Sequence, residues 1–192
     1  MQQKKNIILA FVVISIIATI AYLNFKNPRR FDTSQVVISV KPATISMNKE
    51  DKAKRYELAK EITSPNGFIN TPLTSSGQAS PITISELVGK KVILLDIWTY
   101  SCINCQRTLP YLNAWYEKYK DKGLEIIGLH TPEFEFEKQY NNVKEAVKKY
   151  GIHYPVVMDN DFSTWNAYGN RYWPRKYLID IDGYIVYDHI GE

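Results

Sequence analysis

Two cysteines constrain this 192-residue chain more than any other feature. They are the only ones it has, Cys102 and Cys105, and they sit three apart inside "VILLDIWTYSCINCQRTLPYLNAWYEKY", Val92 to Tyr119. Val92 to Trp98 is a nearly continuous apolar run of strand length, as expected of a strand covered on both faces. Residues 103–120 then carry Leu109, Leu112, Trp115, Tyr116 and Tyr119 on a helical stripe. The pair therefore falls where a buried strand hands over to a helix. Cys102 lies at or just before the helix start, where unpaired backbone N–H groups and the positive dipole end stabilise a thiolate, which suits it to be the attacking nucleophile. Cys105, one turn later, is placed to close a disulfide and resolve a mixed intermediate.

Two plainer readings compete. A structural disulfide across so short a loop would contribute only about 2 kcal/mol by chain entropy, less than a long-range bridge. A zinc site needs four ligands, yet no second cysteine pair exists, and His130, His153 and His189 form no close pair. Asp96 favours redox chemistry. In the middle of "VILLDIW" its carboxyl is desolvated and titrates above its ordinary range, fitting it to exchange a proton with Cys105; the alternative is a carboxylate that merely pairs with a lysine.

The chain opens with "MQQKKNIILAFVVISIIATIAYLNFK", which has no charge between Lys5 and Lys26. About 20 uncharged residues span a bilayer core of roughly 30 Å, so a short tail (1–5) precedes a transmembrane anchor (6–25); Thr19-Ile20-Ala21 is a weak cleavage site, and an uncleaved anchor is favoured. Lysines and arginines flank both ends and leave the orientation open. The net charge of +4 is interspersed along the chain, which points to a solvated surface and away from nucleic acid. Residues 26–63 read as a stalk, with a possible strand at Val36 to Val40 and a possible helix from Lys49 to Ile62. Its weak apolar face of Ala53, Tyr56, Ala59 and Ile62 could dock on the domain beyond. From 64 to 192 come further strands at Leu124 to Leu129 and Tyr154 to Met158, and a helix from Phe136 to Tyr150. Two β-rich runs joined by Asp182-Gly183 close a hairpin. This pattern gives an α/β fold with a mixed central sheet flanked by helices. His130 reads as a packed strand-end residue, and Glu133-Phe134-Glu135-Phe136-Glu137 as a loop entering a helix, where acids suit the dipole.

The order Asp96, Trp98, Cys102-Ile103-Asn104-Cys105, Pro110 resembles the active-site segment of the thioredoxin superfamily. "RYWPRKYLIDIDGYIVYDHIG" resembles the segment whose cis-proline faces the disulfide, here Pro174. "GFINTPL", "SELVGKKVILLDIWTYSCINC", "HTPEFEFEK" and "YGIHYPVVMD" are similar to membrane-tethered TlpA and ResA-like proteins, and especially to the thioredoxin-like domain of DipZ proteins. The resemblance implies a membrane-anchored, extracytoplasmic thiol-disulfide oxidoreductase on a single-pass anchor in the cytoplasmic membrane. Its catalytic residues would be Cys102, Cys105 and Asp96, and its substrate contacts Trp98, Trp173 and Pro174. It implies no cofactor, no metal, protein disulfides or dithiols as substrates, and a membrane protein as electron donor or acceptor.

Three departures stand out. Thr108 occupies the place where cysteine-reducing relatives often carry Glu, Ile103-Asn104 separates the cysteines, and the fold's usual final helix is not found before Glu192. Two rival functions remain: a thiolate copper-binding module, since soft thiolates select Cu(I), and a peroxiredoxin, whose Pro-x-x-x-Thr-x-x-Cys pattern meets Thr99 but finds Leu95 in place of proline.

Overall fold

A computed structural model describes residues 47–192. The expected anchor (6–25) and the strand at Val36 to Val40 lie outside the described residues. Among the described residues, no helix is long and apolar enough to cross a membrane.

The described elements are α1 (Lys49–Arg55), β1 (Gly67–Ile69), α2 (Ile84–Leu87), β2 (Val92–Trp98), α3 (Ile103–Tyr119), β3 (Leu124–His130), α4 (Tyr140–Lys149), β4 (Val156–Met158), α5 (Ser163–Ala167), β5 (Arg175–Ile179) and β6 (Ile185–Ile190). One six-stranded sheet runs in the order β1-β4-β3-β2-β5-β6. β2, β3 and β4 are parallel, and β1, β5 and β6 pair antiparallel. The thioredoxin-like α/β fold with a mixed sheet is thus present.

Side-chain alternation along β2 divides the interior into two layers. Leu94 and Trp98 point to the face covered by α3 and α4, where they meet Cys105, Leu109, Leu112, Val143 and Val147. Ile93, Leu95 and Ile97 point to the other face, against Ile84, Trp165 and Ile62. Asp96 shares the parity of Leu94 and Trp98, so a carboxyl is sunk beneath the helix that carries the cysteines. β2 hands over to α3 through Thr99, Tyr100 and Ser101. Within α3, Pro110 has no N–H to donate to the carbonyl of Gln106, yet the helix continues to Tyr119.

Three elements differ from the sequence expectation. The helix drawn to Ile62 stops at Arg55, because residues 57–59 bridge the hairpin instead. There Ala59 N donates to Gly183 O (2.9 Å) and Ile185 N to Glu57 O (2.9 Å). Asn48 Oδ1 caps the remaining helix by accepting from Asp51 N, and Lys52 ties it to Asp180 and Asp182. The helix drawn from Phe136 is split into a 3₁₀ turn at Glu135–Lys138 and α4 from Tyr140, with an extended Gln139 between them. α5 was not foreseen; its five residues carry too short a pattern to announce a helix.

Candidate active site

Cys102 occupies the N-cap of α3 with extended backbone, and its Sγ accepts from Cys105 N at 3.3 Å. Both cysteines are free thiols; Cys102 is half-buried and Cys105 fully buried. The sulfur nearer solvent thus sits on the unpaired N–H groups of a helix start. Burial pushes the Cys105 thiol well above its ordinary range, and the charges of Cys102 and Asp96 push it the same way. The two sulfurs are therefore unlike, one reachable and one kept protonated.

Asp96 is fully buried, and burial raises its carboxyl despite the opposing attraction of Lys176. Lys176 is its cross-strand neighbour on β5, with Nζ 3.2 Å from Asp96 Oδ1. The contact lacks hydrogen-bond alignment, so neither carboxyl oxygen has a hydrogen-bond partner. Burial that raises the carboxyl and a lysine partner, which stood as alternatives in the sequence, are both present here. Lys176 also lines a cavity of about 560 Å³ between α3 and the β5–β6 edge, with Arg107, Tyr111, Trp115 and His189. The cation neutralising Asp96 therefore borders solvent-sized space, whereas Asp96 does not.

The Trp173–Pro174 peptide bond is cis, and Trp173 packs against the cluster that holds Cys105. Its indole turns inward: Nε1 donates to Thr131 O (3.0 Å), and the ring lies 4.2 Å from that of Trp165. Trp98 needs correction as a substrate contact. It is fully buried, edge-on to His130 at 5.3 Å, and forms the core below the cysteines. Gly128, the register partner of Asp96, leaves room for Trp98: a Cβ there would stand 3.0 Å from Trp98 Nε1 and 3.2 Å from Tyr154, so those rings would have to shift.

Two residues whose part in the site the sequence did not reveal hold the Thr99–Ser101 loop. His130 is the packed strand-end residue expected: it closes β3, which is paired on both sides there, and its ring is fully buried. Its Nε2 lies 3.3 Å from Thr99 Oγ1 and accepts from Tyr100 N at 3.4 Å. Burial lowers its pKa to about 4, and protonation would remove the acceptor that Tyr100 uses. Glu137, read as one acid of a loop entering a helix, is fully buried. Its Oε1 accepts from Ser101 Oγ (2.6 Å) and Ser101 N (3.2 Å), and its Oε2 from Glu133 N (2.6 Å) and Phe134 N (2.9 Å). These donors outweigh burial and hold the carboxyl below its ordinary value. Alternation in "EFEFEK" would put all three acids on one side and both phenylalanines on the other, so nothing in the sequence singled out Glu137 as the one that turns inward.

The Redoxin family model matches residues 49–192. The chain belongs to the redoxin family. It is 43% identical to Protein DipZ of Mycobacterium tuberculosis over 159 residues, 81% of this chain and 22% of DipZ, so it spans about a fifth of that relative's length. It is 37% identical to the thiol-disulfide oxidoreductase ResA of Bacillus anthracis over 142 residues, 74% of each chain. A solved thioredoxin-like protein in its oxidised form superposes with a TM-score of 0.63 at 26% identity, covering 71% of this chain and 86% of that one. This redoxin-family chain is a thioredoxin-superfamily protein of the TlpA/ResA/DipZ kind, and its domain is an oxidoreductase domain.

Proposed function

We propose that this domain exchanges disulfides with protein substrates through Cys102 and Cys105. The observation that carries the reading is the asymmetry of the pair: an accessible Sγ at a helix N-cap beside a buried thiol above Asp96. In the reducing direction the Cys102 thiolate attacks a substrate disulfide, forming a mixed disulfide and releasing one substrate thiolate. Cys105 then gives its proton to Asp96 and attacks Cys102 Sγ, releasing the second substrate thiolate and leaving a Cys102–Cys105 disulfide. Two electrons pass to the substrate. The reverse sequence oxidises a dithiol. The backbone of Trp173, just before the cis bond, is the part of this segment on which an extended substrate can pair, since Pro174 lacks an N–H and its carbonyl already accepts from Gly191 N.

The same proposal places the domain outside the cytoplasmic membrane on an anchor at 6–25, with a membrane protein restoring the pair. Supporting it are the uncharged run between Lys5 and Lys26 and the resemblance to membrane-tethered TlpA and ResA-like proteins. Protease accessibility of the domain in intact spheroplasts tests the location, and protection of the domain would refute it.

Cys102→Ser is expected to abolish exchange, whereas Cys105→Ser keeps attack and accumulates a mixed disulfide on Cys102. First alkylation at Cys105 in the reduced protein would reverse the assignment. Equilibration with glutathione then fixes the direction: a potential near about −270 mV marks a reductant, and one near about −120 mV an oxidant.

A further inference from the structure

The segment that supplies Glu137 also displays an aromatic surface that the exchange chemistry does not use. Phe134 and Phe136 are 49% and 52% exposed, and their rings stack on each other at 5.4 Å and 7°. Large apolar rings left in water normally mark a contact surface when they lie together. This pair is held in place. Glu137 Oε2 accepts from Phe134 N, closing the turn, while its other oxygen grips Ser101, the residue before Cys102. Tyr100 joins the two parts: its ring lies 6.1 Å from that of Phe136, and its hydroxyl donates to Phe136 O at 3.3 Å. The platform is therefore continuous with the loop that carries the proposed nucleophile. Exposed Glu133 and Glu135 flank the rings; Glu135 shares its charge with Lys138 (2.7 Å), so the acidity of the patch rests mainly on Glu133.

We propose that Phe134 and Phe136 form a docking platform for the segment flanking the reactive cysteine of a protein substrate, and that the platform selects segments with an apolar or aromatic side chain next to Lys or Arg. The apolar side chain packs on the stacked rings, and the cation meets Glu133, Glu135 and the ring faces. The inference rests on the exchange function proposed above and names its substrate class. The flanking carboxylates disfavour an anionic lipid surface as the occupant.

The test uses the full chain, reduced, with two cystine-bridged peptides that differ only in the flanks, Phe-Lys or Ser-Asp, and with hydroxyethyl disulfide as a flank-free substrate. The wild-type protein is expected to favour the Phe-Lys peptide about tenfold in kcat/KM, mainly through KM. In Phe134→Ser/Phe136→Ser that preference should vanish, while turnover of hydroxyethyl disulfide stays unchanged. Equal kcat/KM for the two peptides in the wild-type protein would overturn the platform and leave the exchange function standing. So would a dimer in sedimentation that the double substitution dissolves, because the patch would then belong to a second copy. Inertness of the wild-type protein toward all three disulfides would instead remove the exchange function, and the platform's substrate class with it.

Discussion

The floor and the wall of the site each bury a carboxylic acid, and the two acids have opposite fates. Asp96, below Cys105, accepts no hydrogen bond and faces one misaligned ammonium, so its proton is held more tightly than in water. Glu137, beside Ser101, accepts four hydrogen bonds and is held ionised. Burial is common to both; the supply of donors separates them. The group proposed to trade protons is left short of partners, and the group that holds a loop is saturated with them.

The comparison can be broken most forcefully at Glu137. Glu137→Leu leaves four donors without their acceptor and is expected to cost about 4 kcal/mol in urea unfolding, given roughly 1–3 kcal/mol per unsatisfied buried group. A loss below about 1 kcal/mol would show that water replaces the carboxylate and that the wall is not built on it.

His130 comes next in size. Its folded pKa, about 4, lies below the ordinary 6.5, so as pH falls below 6.5 the unfolded chain takes up the proton first. Its contribution is complete above pH 6.5 and is lost between 6.5 and 4, amounting to about 3 kcal/mol by pH 4. Further acidification below Glu137's ordinary value of 4.5 begins to remove that carboxylate's contribution as well. His130→Gln, which can still accept from Tyr100, should flatten the 6.5-to-4 limb of stability against pH. An unchanged limb would place the sensitivity elsewhere.

The floor gives the smallest stability effect and the one of opposite sign. Replacing Asp96 and Lys176 together by Leu and Met is expected to stabilise the protein by about 2 kcal/mol at neutral pH, since a poorly aligned buried pair is often worth less than apolar packing. Resolution of the mixed disulfide should slow by about 10²-fold in Asp96→Asn, with attack by Cys102 unchanged, as for loss of a general base. Decay of the trapped intermediate by stopped flow measures it, and equal decay in the two proteins would take Asp96 out of proton transfer.

The legible half of the site is the half written locally. Cys102, Cys105 and Asp96 lie within ten residues, and the change from strand to helix periodicity between Trp98 and Ile103 announces their geometry. Lys176 became a partner only through the register that sets it opposite Asp96, 80 residues away. Glu137 acquired its role from a turn whose composition looks like solvent-facing acid, and His130 from the end of a strand buried between two neighbours. Trp98 was misread because proximity in the motif does not reveal which way a strand residue points. Likewise the helix expected to Ile62 yielded to edge pairing with the hairpin, a long-range gain that no local propensity reports.

The two-layer parity of β2 has a consequence for descent. Deleting or inserting one residue between Val92 and Trp98 would turn Asp96 toward Ile84 and Trp165, and set an isoleucine or leucine under Cys105. No later point substitution restores that exchange of faces. Length variation among homologues should therefore be barred from this strand and find its outlet in segments such as residues 70–83, where the chain is free of the central sheet's register.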